Sequence, residues 1–154
     1  MMDASPTRCD PTPPILRQQI ERLFVCDTFS TQFDIRLVEA VPGRALLTMQ
    51  VSEARMNAHG GYHGGALWTL ADMAFGAAGY YDGPMLTVGS DLSFIRPARG
   101  GATLHATATE ITRTDRTGIF HIVLTTAPDD PAAIVATGMF TGRWTHDRQR
   151  ETAT

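Results

Sequence analysis

This sequence predicts an α+β fold in which a curled antiparallel sheet wraps around one long central helix. Three observations carry that reading. Between Arg55 and Asp82 there is one acidic or basic side chain, Asp72, set inside the apolar run 66–81. A helix that apolar on every side is enclosed by other structure and does not lie on a surface. Ahead of it the apolar residues alternate with period two, and behind it four more strand-like runs follow, which supplies the sheet.

Pro14 suits the first position of a short helix, where its missing N–H would have no partner anyway. Leu16, Ile20, Leu23 and Phe24 recur at helical spacing and give that helix one apolar face. Phe33, Ile35 and Leu37 then alternate with Asp34 and Arg36. After the turn residues Pro42 and Gly43, the alternation resumes at Ala45, Leu47, Met49 and Val51, so 33–51 reads as a β-hairpin.

The glycine-rich loop Asn57-Ala-His-Gly-Gly-Tyr-His63-Gly64-Gly65 feeds the central helix, expected over about 64–80. Ala71, Ala74, Ala77 and Ala78, with Gly76 and Gly79, keep that helix slim enough for a sheet to approach closely. Asp82-Gly83-Pro84 ends it. Strand-like runs at about 85–96, 102–112, 117–127 and 132–144 are separated by turn residues and read as a four-strand meander. Residues 1–13 read as a disordered leader with Pro6, Pro11 and Pro13, 14–145 as a single domain, and 146–154 as a frayed tail.

At 154 residues, 43% hydrophobic and 19% charged, the chain has enough apolar material for one core. A net charge of −3 argues against a nucleic-acid partner, which selects a basic stripe. Cys9 and Cys26 do not make a disulfide framework, and a reducing cytoplasmic setting is expected. The N-terminal residues carry acids and no apolar segment, unlike a secretory signal. The run 66–81 is too short to span a bilayer and is interrupted by Asp72, so no membrane association is expected.

Burying an unpaired carboxylate costs several kcal/mol unless it is hydrogen-bonded or its pKa shifts. Asp72 is therefore read either as a structural acid satisfied by loop amides or as a nucleophile or general base in an apolar pocket. By helical spacing it shares a face with Trp68, Thr69 and Phe75, which are the expected substrate-binding residues around it. His63-Gly64-Gly65 opens the helix. Its glycines either admit a positive-φ turn or let the Gly64 N–H, reinforced by the helix dipole, polarise a thioester carbonyl.

His63, counted with Asp72, Gly64 and Asn57 among the candidate catalytic residues, either braces this loop or acts as a second acid/base group, and Asn57 is either a turn former or an amide that holds the attacking water or the carboxylate. His59 and His63 are separated by glycines and lack a third ligand, so no metal is expected. His105 and His121 read as ordinary strand residues. Arg96, Arg99, Arg113, Arg116 and Arg143 fall near strand ends as surface charges, some of them placed to meet a phosphate-bearing ligand.

The string N-x-x-G-x-x-H-G-G-x-L-x-x-L-x-D, here Asn57, Gly60, His63, Gly64, Gly65, Leu67, Leu70 and Asp72, resembles the hot-dog-fold acyl-CoA thioesterases of the phenylacetate-degradation (PaaI-like) type. Leu92-Ser93-Phe94-Ile95-Arg96-Pro97-Ala98, followed by Gly100 or Gly101, resembles the same family's F-x-R-P-x-x-x-G strand and turn. The likeness covers roughly 30–144. It implies a hot-dog fold and hydrolysis of an aryl- or medium-chain acyl-CoA to free acid and CoA, with no cofactor because coenzyme A is part of the substrate.

It also implies homodimers with shared active sites, and tetramers built from them, with Asp72 of one subunit working opposite Asn57 and Gly64 of the other. A Ser or Thr on the next strand, matched here by Thr87, is implied to position the water, with Gly65 and Arg96 also at the substrate. Two other functions compete with hydrolysis. A hot-dog enoyl-CoA hydratase or dehydratase is disfavoured by the absence of an H-F-x-x-x-P stretch, and a non-catalytic acyl-CoA-binding protein by the lack of a basic extension.

Overall fold

The computed structural model describes residues 10–145; the sequence-predicted leader up to residue 9 and the tail 146–154 lie outside the described residues. In chain order the elements are α1 Pro14–Cys26, β1 Ile35–Val41, β2 Arg44–Gln50, α2 Gly64–Gly79, β3 Met85–Phe94, β4 Thr103–Arg113, β5 Thr117–Thr125 and β6 Ile134–Trp144, with short 3₁₀ turns between them. Proline opens α1 as expected, and Leu16 and Ile20 on its apolar face are buried. Leu23 at the far end of that stripe is exposed. Residues 10–13, grouped by sequence with the leader, are seated on the domain. Asp10 pairs with Arg17 at 2.6 Å, and the buried Thr12 hydroxyl accepts the Ala40 N–H at 2.7 Å.

The six strands form one antiparallel sheet in the order β1-β2-β4-β5-β6-β3. Only β4, β5 and β6 run as a meander. The expected four-strand meander fails at its first member, because β3 crosses to the far side and pairs with β6 (Met85 with Trp144, Phe94 with Ala136). Strands β2, β4 and β5 are each paired on both sides, so after the turn at Gly83 (φ 91°) β3 joins at the free edge of β6. Strand β3 is thus an edge, and its burial differs from that of every neighbour.

Strands β2, β4 and β5 alternate buried and half-exposed residues, so Ala45, Leu47, Met49, Leu104, Ala106, Ala108, Phe120, Ile122 and Leu124 all face α2. The helix answers with Ala71, Ala74 and Ala78, none of which touches solvent. These small side chains bring the sheet onto the helix backbone, and Leu70 and Phe75 fill what remains. Phe75 meets Phe120 edge-on at 5.1 Å. Truncating either large side chain to alanine would cost about 2–5 kcal/mol.

Candidate active site

The loop before α2 is organised by Asn57. Its Oδ1 accepts the N–H groups of His59 (2.9 Å) and Gly61 (3.1 Å), which folds 57–61 tightly, with Gly60 at φ 76°. This occupies the amide oxygen and leaves the Nδ2 donor without a partner among the described residues. The side chain is therefore a turn former and a remaining donor at once. His63 is the N-cap of α2, and its Nδ1 accepts the Gly65 N–H at 3.0 Å. The His63 carbonyl takes the N–H groups of Ala66 and Leu67.

That leaves the Gly64 N–H, first of the helix, with no acceptor among the described residues. The positive-φ explanation for Gly64 and Gly65 fails, because neither glycine has a positive φ. Space explains Gly64 instead: a Cβ there would stand 3.3 Å from the Phe94 ring. A cavity of about 370 Å³ opens at this point, lined by Asn57, Tyr62, Gly64, Leu67, Phe94, Ile95, Arg96 and Pro97. Arg96 is held at its rim by the Ile134 carbonyl, 2.8 Å away. On the other side of the helix start, His63 and Gly65 border a second groove walled by Phe29, Phe33 and Met56.

Asp72 lies eight residues further along α2, roughly 12 Å along the axis at about 1.5 Å per residue. It is half-buried, and its Oδ1 accepts the Thr87 hydroxyl from β3 at 2.5 Å. Burial pushes the carboxyl above its ordinary range; the Thr87 hydrogen bond opposes this, and the negative charge of Asp27 adds to it. A carboxylate so placed is a stronger base than one in water. Asp72 opens onto its own small cavity of about 130 Å³, shared with Thr87, Met85 and the end of α1.

The structure thus joins Thr87 to Asp72, and Asn57 to Gly64 and Arg96, but holds the two groups apart within one chain. Trp68, Thr69 and Phe75 do not line the Gly64 cavity. Trp68 donates to the Ser90 Oγ at 3.1 Å and packs on Phe140. Thr69 is buried and donates to the Gly65 carbonyl at 2.8 Å. Phe75 is in the core and lines the Asp72 cavity, as expected of a residue on the same helix face. Sequence reasoning missed Phe94, Tyr62 and Asp27. Phe94 was on view two residues before Arg96, yet nothing in its spacing reveals that it would cover Gly64. Arg113 also departs from the surface-charge reading: it lies 4.2 Å from the Trp144 ring and pairs with Asp82.

Residues 59–133 match the model of the Thioesterase superfamily. The acyl-coenzyme A thioesterase PaaI of Escherichia coli K12 is 31% identical over 106 residues, which cover 68% of this chain and 76% of that protein. The chain belongs to the thioesterase superfamily. Its fold is the hot-dog fold of the PaaI-like thioester hydrolases. The solved structure of E. coli PaaI superposes with a TM-score of 0.75 at 25% identity, covering 85% of this chain and 94% of that one. The TT0310 protein of Thermus thermophilus gives 0.69 at 28% identity, covering 76% and 97%. A Deinococcus radiodurans protein carrying an esterase name is 33% identical over 82 residues, 53% of this chain but only 56% of that protein. Among the described residues no helix is long and apolar enough to cross a membrane.

Proposed function

We propose that the protein hydrolyses acyl-CoA thioesters at sites shared between two identical chains, each site using Asp72 of one chain and the α2 start of the other. The observation that carries this is β3. Eight of its ten residues are exposed although it is a full strand of the sheet, with Leu86 60%, Val88 59% and Phe94 55% exposed. Long apolar edge strands need a partner. Antiparallel self-pairing of β3 about its midpoint would set Thr87 level with Leu92 of the partner subunit, two residues from the partner's Phe94. That brings Asp72 toward the partner's Gly64 and bridges the roughly 12 Å that separates the two groups within one chain.

In such a site the thioester oxygen takes the Gly64 N–H and the Asn57 amide steadies it or the water. Asp72, aligned by Thr87, removes a proton as the water oxygen bonds to the acyl carbon. The oxyanion then collapses, the C–S bond breaks, and the proton on Asp72 passes to the departing CoA sulfur. The family likeness favours an aryl- or medium-chain acyl group, and the apolar walls of the Gly64 cavity suit one. Arg96 is placed for a CoA phosphate. No cofactor enters this chemistry. Dimers pairing into tetramers in a reducing cytoplasm complete the reading.

The test is release of free thiol from a panel of acyl-CoAs, read with a thiol dye. The expected result is faster release from phenylacetyl- or medium-chain acyl-CoA than from acetyl-CoA. A change in enoyl absorbance without thiol would point to a hydratase, and binding without either signal to an acyl-CoA-binding protein. A fully active monomer in sedimentation would overturn the shared site.

A further inference from the structure

The cavity of about 130 Å³ beside Asp72 has room for about four waters, each with a share of liquid volume of about 30 Å³. One wall comes from the end of α1: Leu23, Phe24 and Asp27, the C-cap residue. Asp27 is not a loose surface acid. Its Oδ1 accepts the N–H groups of Phe29 and Ser30, both at 3.1 Å, which fixes the carboxylate on the cavity's rim. Arg17 pins α1 to the sheet through the Val38 carbonyl at 2.7 Å.

We propose that Asp27 is a positioning residue for the hydrolysis: its fixed negative charge faces Asp72 across this cavity, orients the attacking water and favours proton transfer to Asp72. The inference rests on the hydrolytic reading above. The Ser30 hydroxyl beside it and, after the opposing effect of partial burial, the backbone amides of Ser30 and Phe29 hold the Asp27 carboxyl below its ordinary range. Asp27 therefore stays ionised while Asp72, pushed the other way, takes up a proton.

Among the described residues no other titratable side chain lines this cavity with Asp72. Strand β3 brings Thr87 and Met85, and α2 itself brings Met73 and Phe75. In the proposed pair the opposite wall adds the neutral Asn57 and Gly64, with Arg96 of the partner subunit at the rim. A negative neighbour makes Asp72 a stronger base, and because Asp27 is exposed that influence weakens with salt.

The experiment is the kcat–pH profile of full-length Asp27→Asn, at low and high salt, with the fastest substrate of the acyl-CoA panel. Asparagine keeps the Oδ1 acceptor, so the turn survives and only the charge is removed. The expected result is an acid limb moved to lower pH and a reduced plateau kcat, with KM and melting temperature little changed. High salt should move the wild-type limb toward that of the variant and leave the variant in place. An unmoved limb overturns the proposal. So does an Asp27→Ala variant that loses activity while Asp27→Asn matches wild type, because the turn alone would then matter. An active Asp72→Asn enzyme would instead bring down the hydrolytic reading itself, so the two failures are distinguishable.

Discussion

The two ends of α2 are built to opposite specifications. At the C-terminal end the Ala77 oxygen accepts the Tyr80 N–H, the Ala78 oxygen the Gly43 N–H, and the Gly79 oxygen the Trp144 indole at 3.0 Å. At the N-terminal end three of the first four amides are satisfied within the residues 63–67 themselves, and the fourth belongs to Gly64, which borders a cavity. Helix ends must satisfy these groups somewhere. One end is closed by the fold, and the other keeps one amide without an acceptor among the described residues.

The sharpest test of the open end removes the carboxylate proposed to act with it. Asp72→Asn should lower kcat by about 10²-fold or more if the residue is the base, with KM little changed. Stability should move the other way. Asp72 has a raised pKa in the fold, so its ionised form costs stability above that pKa, and the cost fades as pH falls through it toward the unfolded-state value. The variant should therefore melt higher than wild type at neutral pH, and the two should converge below the ordinary carboxylate range. An active, less stable variant would make Asp72 structural.

The next change keeps the carboxylate and crowds the amide. Gly64→Ala suits the helix backbone but sets a methyl 3.3 Å from Phe94 at the mouth of the cavity. The ring need give only a few tenths of an ångström, so kcat/KM should fall by less than the roughly 10²-fold that a 1 Å misplacement costs, with the melting temperature retained. Unchanged turnover would show that the carbonyl does not sit there.

At the closed end the expected effect is confined to stability. Trp144→Phe keeps an aromatic ring near Arg113 but strands the Gly79 carbonyl, at a cost of about 1–3 kcal/mol. Denaturant unfolding measures it, and turnover per folded molecule should stay at the wild-type level. A loss of turnover without a loss of stability would couple the two ends and undo the contrast.

How much of this is legible in the sequence follows the range of the interactions. The α2 alanines and the β1–β2 hairpin are written in local spacing, and the structure agrees with both. The Thr87 position comes from the motif, and the structure brings its hydroxyl to Asp72. The pairing of β3 with β6 is not legible. Residues exposed on both faces carry no alternation, and nothing local says which distant strand will be the neighbour. Asp27 escapes for a related reason: its cap with Phe29 and Ser30 is a local pattern, but its facing Asp72 depends on how α1 docks.

The crossing of β3 has a kinetic consequence. Its register partners run from Ala136 to Trp144, the last strand of the domain. During synthesis β3 leaves the ribosome well before β6 exists, and its apolar residues must wait without a sheet to join. Non-local pairings of this kind slow folding and prolong the exposure of sticky intermediates. The edge proposed above to pair with a second copy is therefore completed last, and association through it would follow a finished protomer.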